Sequence, residues 1–127
     1  QIIGALKMSE GLNRTTENVV LCGANSYEQK YYFNPDFAQL PESIRNELQM
    51  MCVTFAEEAG GIFTVEFDEK GNIKFTVRVD DGDYLFDEIE SGLHISKFQR
   101  EKEELMEQLE LYYRVVFLKQ DIDEVTV

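Results

Sequence analysis

Large apolar residues recur along the last third of the chain at Phe98, Leu105, Leu109, Tyr112 and Val116, at intervals of seven, four, three and four. At 3.6 residues per turn they share one helix face. Lys102 fills the gap in the series, and its methylene stem can lie along the same face. The other side carries Arg100, Glu101, Glu103, Glu104, Glu107 and Glu110. The pattern predicts one helix over 96–118, about 30 Å long, lying across a sheet and closing the core.

A two-residue period marks the middle of the chain. Phe63, Val65 and Phe67 alternate with Thr64 and Glu66, and Ile73, Phe75, Val77 and Val79 with Lys74, Thr76 and Arg78. Ile62–Phe67 and Ile73–Val79 therefore read as a hairpin, turned by Asp68-Glu69-Lys70-Gly71-Asn72 with Gly71 in the left-handed position. The expected register sets Phe67 opposite Ile73, Val65 opposite Phe75 and Phe63 opposite Val77. It also places Glu66 beside Lys74 and Thr64 beside Thr76.

Between these segments and the N-terminus, Ile44, Leu48, Met51, Cys52, Phe55 and Ala59 mark a second helix. Pro41 opens it, Glu42 suits its first turn, and Gly60-Gly61 ends it. Val19–Cys22 and Tyr27–Phe33 read as another hairpin around Gly23-Ala24-Asn25-Ser26, stopped by Asn34-Pro35-Asp36. In its second strand Tyr27, Gln29, Tyr31 and Phe33 share one face, and Glu28, Lys30 and Tyr32 the wetter one. Asp83 caps a short expected helix over Tyr84–Glu90, with Leu85, Phe86 and Ile89 inward and Ser91-Gly92 interrupting it. The fold class that follows is α+β. A four-stranded antiparallel sheet, in ββαββα order, forms a two-layer sandwich with two main helices on one face.

The chain has 127 residues, 43% of them hydrophobic, enough for one domain with a real core. The expected division is a mobile lead-in over 1–18, a single domain over 19–118 and an acidic tail over 119–127. Gln1–Lys7 is too short for a signal peptide and lacks a cleavage site. No apolar run approaches a membrane span. The formal net charge of −13 repels phosphate backbones, which argues against nucleic-acid binding. Cys22 and Cys52 make no disulfide framework, and buried thiols in a reducing, cytoplasmic setting are expected.

Candidate chemistry is sparse. His94 is the one histidine, and no CxxC, HxxxH or HExxH spacing occurs. It reads as a surface or boundary histidine, so no metal site is expected. The acids at Asp80, Asp81, Asp83, Asp87, Glu88 and Glu90 do not match a calcium loop, because valines occupy its ligand positions. No nucleophile elbow or phosphate-binding glycine loop is present. No catalytic residue and no cofactor are expected.

The tyrosines stand out. Tyr112–Leu118 is apolar on more than one helix face, so something must cover the second one. The Tyr27–Phe33 strand or a second chain could do so. Tyrosine pairs an apolar body with a polar tip, which suits interfaces. Tyr31, Tyr32, Tyr84, Tyr112, Tyr113 and Phe117 therefore form the candidate interaction surface.

Tyr31-Tyr32-Phe33-Asn34-Pro35, Leu40-Pro41, Gly60-Gly61, Asp87-Glu88-Ile89 and Leu109-Glu110-Leu111-Tyr112-Tyr113 resemble a family of small, acidic, uncharacterised bacterial proteins over about Asn18–Leu118. The resemblance implies a size and a cytoplasmic setting, and no activity, ligand or site. The expected function is a non-enzymatic protein-interaction module, bound to a protein partner or to itself as a homodimer. The alternative is a small-molecule binder or minor enzyme, with a pocket between sheet and C-terminal helix near Tyr31, Tyr84 and Tyr112. An acidic decoy for a basic partner fits less well, since Arg45, Arg78, Lys97, Arg100, Lys102 and Arg114 interrupt the acids.

Overall fold

The hairpin of β3 (Ile62–Phe67) and β4 (Ile73–Arg78) forms in the register its alternation predicts. Phe67 lies opposite Ile73, Val65 opposite Phe75, Phe63 opposite Val77, Glu66 opposite Lys74 and Thr64 opposite Thr76. A one-residue slip would turn the phenylalanines to the outer face, so burial fixes the pairing. Gly71 turns the chain with φ +86°, and Asp68 Oδ1 accepts from the N–H groups of Lys70 and Asn72, each at 2.9 Å. Lys74 ion-pairs with Asp68 at 3.9 Å, while Glu66 accepts from the Thr64 hydroxyl at 2.7 Å.

A computed structural model describes residues 18–120. The expected lead-in and tail fall, apart from Asn18, Lys119 and Gln120, outside the described residues. Four antiparallel strands lie in the order β2-β1-β3-β4. β1 (Val19–Asn25) runs three residues further than expected, and β2 is only Lys30–Phe33. The turn is therefore 26–29, not 23–26. Gly23 serves close approach instead of a turn: a Cβ there would stand 2.8 Å from the Phe63 carbonyl oxygen and from the Thr64 methyl. Asn25 Oδ1 organises the true turn by accepting from Tyr27 N–H at 2.8 Å, and Gln29 takes φ +53°. Tyr27 and Gln29 thus leave the strand. A bulge between Val20 and Cys22 lets two successive side chains, Leu21 and Cys22, both reach full burial.

Among the described residues three helices cover one face of the sheet. In α1 (Glu42–Glu58) Leu48, Met51, Cys52 and Phe55 are buried. Pro41 stands just outside it as the cap, and Gly60 and Gly61 take φ +89° and +75° where it ends. The single long helix expected over 96–118 is instead two: α2 (Glu88–Glu101) and α3 (Glu103–Val116). Lys102 N–H donates to the Phe98 carbonyl at 2.8 Å and Met106 N–H to that of Lys102 at 2.9 Å, so the chain kinks without turning. Lys102 Nζ is anchored on Glu47 Oε2 of α1 at 2.7 Å. Beyond the kink the buried face is Leu105, Met106, Leu109 and Tyr113; Tyr112 is half-buried and Val116 exposed.

Two aromatic groups fill the interior. Phe63 stacks on Phe55 of α1 at 4.3 Å between ring centres and meets Phe75 and Phe98 of α2, each at 5.8 Å. Phe67 stacks on Tyr113 of α3 at 4.1 Å. The sequence gives no hint of the third partner, Phe37, at the end of a short 3-10 turn (Pro35–Phe37). It is fully buried and stacks on Phe117 at 4.7 Å and Phe67 at 5.6 Å. Phe37 and the 68–72 turn, not the Tyr27–Phe33 strand, cover the second apolar face of α3. Arg114 completes that cover by donating to the Lys70 carbonyl at 3.1 Å and to Asn72 Oδ1.

Candidate functional site

The segment between β4 and α2 is held by hydrogen bonds and by a single inward ring, Phe86. Its acids point at backbone N–H groups. Asp83 Oδ1 accepts from Leu85 N–H at 2.8 Å, and Asp87 Oδ1 caps α2 through Ile89 and Glu90 N–H, each at 3.0 Å. Asp87 N–H donates to the Ala59 carbonyl at 2.9 Å, which fastens the start of α2 to the end of α1. Tyr27 spans the gap to β1, its hydroxyl donating to Asp83 Oδ2 at 2.5 Å and accepting from Asp80 N–H at 3.0 Å. The Tyr27 hydroxyl and the Leu85 N–H hold the Asp83 carboxyl below its usual range. Burial, then the Asp83 bond, raises the Tyr27 phenol.

The short helix expected over Tyr84–Glu90 forms only at its end: Tyr84–Asp87 is not helical, and Glu88–Glu90 are the first turn of α2, which begins at its cap Asp87 and not at Asp83. Of Leu85, Phe86 and Ile89, only Phe86 turns inward, its ring over Gly61. Ser91 and Gly92 lie within α2 instead of interrupting it. The consequence is a run of bare apolar side chains: Tyr84 is 94% exposed, Leu85 93%, Ile89 74% and Leu93 60%. Ile89 and Leu93, four apart, share one face of α2. Asp80, Asp81, Asp87 and Glu88 are exposed around them.

The six aromatics of the candidate surface scatter through the fold. Tyr113 is buried in the ring stack, so it offers no surface. Tyr112 and Phe117 are half-buried at the end of α3. Tyr32 packs with Val20 and Ile62 on the outer face of the sheet. Tyr31 lies on the inner face beside Cys22 and Cys52, whose sulfurs are 3.7 Å apart and fully buried. Tyr84 alone is fully open.

Among the described residues two surface cavities flank the sheet, and a third, of about 720 Å³, lies along Val79, Tyr84, Leu85, Phe86 and Ile89. One of the flanking pair, of about 550 Å³, is bounded by Ala24, Gln29, Tyr31, Val53 and Glu57, between the first hairpin and α1. The Tyr31 oxygen has no accessible surface and no hydrogen-bond partner, so the cavity meets its ring and not its hydroxyl. The other, of about 490 Å³, runs between β4 and the α2–α3 kink, past Lys74, Phe75, Gln99, Glu103 and Glu107. Tyr31, Tyr84 and Tyr112 do not converge on a shared pocket.

One cluster escapes a reading of the sequence. His94 is only 8% exposed, its ring wedged between Phe55 and Phe98 at 6.0 and 5.9 Å between centres. Its Nε2 faces Glu58 Oε1 at 2.7 Å and Glu90 Oε1 at 3.4 Å. Glu90 and His94, four apart on one helix, were a local signal. Glu58 comes from the end of α1, where only the fold could bring it.

No curated protein and no solved structure matches the chain. None of its described helices is long and apolar enough to cross a membrane. A family model matches residues 18–121, spanning the sheet and the three described helices, and the chain therefore belongs to the family of unknown function DUF6145.

Proposed function

We propose that the protein is a non-enzymatic interaction module that docks a protein partner through Tyr84, Leu85, Ile89 and Leu93. One observation carries this reading: four large apolar side chains, each more than half exposed, lie within ten consecutive residues. Scattered single apolar residues are ordinary on a surface, but a contiguous group points to an interface. Hydrogen bonds fix this group in place, so docking orders little new chain.

The acids around the group state the partner's chemistry. A patch rimmed by Asp80, Asp81, Asp87 and Glu88 complements an apolar surface with a basic rim. A second copy would set these acids against each other, on a chain of net charge −13. A heterologous partner therefore fits better than a homodimer. The two cavities flanking the sheet are not lined by a convergent set of polar groups that would select a small molecule, and the hollow along Tyr84–Ile89 is an open part of the apolar run itself, so the small-molecule alternative has less support.

Gel filtration of fresh extracts from cells that make the protein provides the test. The wild-type chain should elute well above its own 14.8 kDa. Leu85→Ser combined with Ile89→Ser should release it to monomer size. Met50→Ser, which alters a 69% exposed residue on α1, should leave the complex intact. Elution of the wild type as a monomer, or a large complex that survives the double substitution, would refute the reading.

A further inference from the structure

We propose that Glu58, Glu90 and His94 bind one divalent first-row transition-metal ion, zinc fitting best. The inference does not depend on what docks at Tyr84–Leu93.

The starting point is a mismatch in donors. Two carboxylate oxygens converge on a single imidazole nitrogen, at 2.7 and 3.4 Å. That nitrogen carries at most one proton in any state of the ring, so it can donate to only one of them. Among the described residues no lysine or arginine pairs with either glutamate. A cation between the three groups would serve all of them at once.

Geometry and charge suit such an ion. The three ligand atoms lie within 4.8 Å of one another. Zinc bonds nitrogen and oxygen at about 2.0–2.2 Å, which sets neighbouring ligands about 3.4 Å apart in a tetrahedron. Glu90 and His94 already stand at 3.4 Å, and Glu58, with a side chain 56% exposed, has room to retreat by the remaining fraction of an ångström. Two carboxylates and a neutral imidazole carry a charge of −2, which a divalent ion balances. The carbonyl end of α1 adds negative potential at Glu58.

The fold holds the ligands before any ion arrives. The Asp87–Ala59 backbone bond fixes the start of α2 against the end of α1, and Phe55 and Phe98 fix the imidazole plane. Imidazole favours zinc, cobalt or nickel over magnesium or calcium. Three protein ligands leave a coordination position open to water.

The test is a cobalt(II) titration of tag-free protein, read by visible absorption, with zinc(II) as competitor. One cobalt per chain should bind, with bands that zinc abolishes and that equal magnesium or calcium does not. Glu58→Gln and Glu90→Gln change side chains that are 56% and 41% exposed and should leave the circular dichroism unchanged, while each weakens binding by about 10–100-fold. Glu57→Gln, next in sequence but outside the cluster, should bind as the wild type does. No cobalt bands, bands that survive both glutamate substitutions, or equal displacement by calcium would overturn the proposal.

Discussion

Tyr31 carries a buried hydroxyl with no hydrogen-bond partner, set against the thiols of Cys22 and Cys52. Burial, together with those thiols, pushes its phenol far above the usual range. Burial likewise raises the Cys52 thiol and keeps it unreactive. An unsatisfied hydroxyl weakens a fold, and its removal without loss of volume is neutral or favourable. Tyr31→Phe should therefore leave stability unchanged or raise it by up to about 1 kcal/mol in urea denaturation. A loss of similar size would show that the hydroxyl has a working partner. The burial of Cys22 and Cys52 was legible from their apolar neighbours; the approach of Tyr31 was not, because strand register decides it. His94 shows the same limit: Leu93 and Ile95 suggest a surface or boundary histidine, but the ring is buried, and its second carboxylate follows from the packing of α1 on α2.

Among the elements, the β3–β4 hairpin depends most on local chemistry. Burial alone would raise the Asp68 carboxyl, but the Asn72 and Lys70 N–H groups outweigh it and hold its pKa below the ordinary value. A lowered folded pKa means that the ionised form stabilises the fold above the unfolded value, near 3.9, and that this contribution disappears as pH falls through the folded pKa. Asp68→Ala should cost about 1 kcal/mol at pH 6, as for a lost capping carboxylate, and clearly less at pH 3, measured by urea midpoints at both values. An equal cost at both values would assign the effect to packing. The same locality made the register of this hairpin readable in the sequence to the residue, although the second strand stops at Arg78 and leaves Val79, expected inside it, exposed. The first hairpin was misread because Gly23 looks like a turn residue but serves the close approach of β3. The long helix was misread because it breaks at Lys102, which is tied to Glu47, 55 residues away, and because the buried face shifts there from Tyr112 to Tyr113.

At the scale of the whole molecule, the sheet and helices bury the phenylalanines and leave one end, where α1 stops and α2 begins, rich in unmet chemistry. The apolar run of Tyr84–Leu93, its acidic rim and the Glu58–Glu90–His94 cluster all lie around the Asp87–Ala59 bond. Binary patterning announced the two-layer fold but placed Leu85 and Ile89 inside it, since a short amphipathic stretch looks the same whether or not a core receives it. An acidic rim should make partner association slow as salt rises, because screening weakens steering over about a Debye length. The decisive measurement is site-specific photo-crosslinking in living cells, with a photoreactive phenylalanine analogue replacing Leu85 in one strain and Met50 in another. A discrete crosslinked species from position 85, absent from position 50 and abolished by Ile89→Glu, is the expected result. No adduct at position 85, or the same adducts from both positions, would contradict a docking surface there.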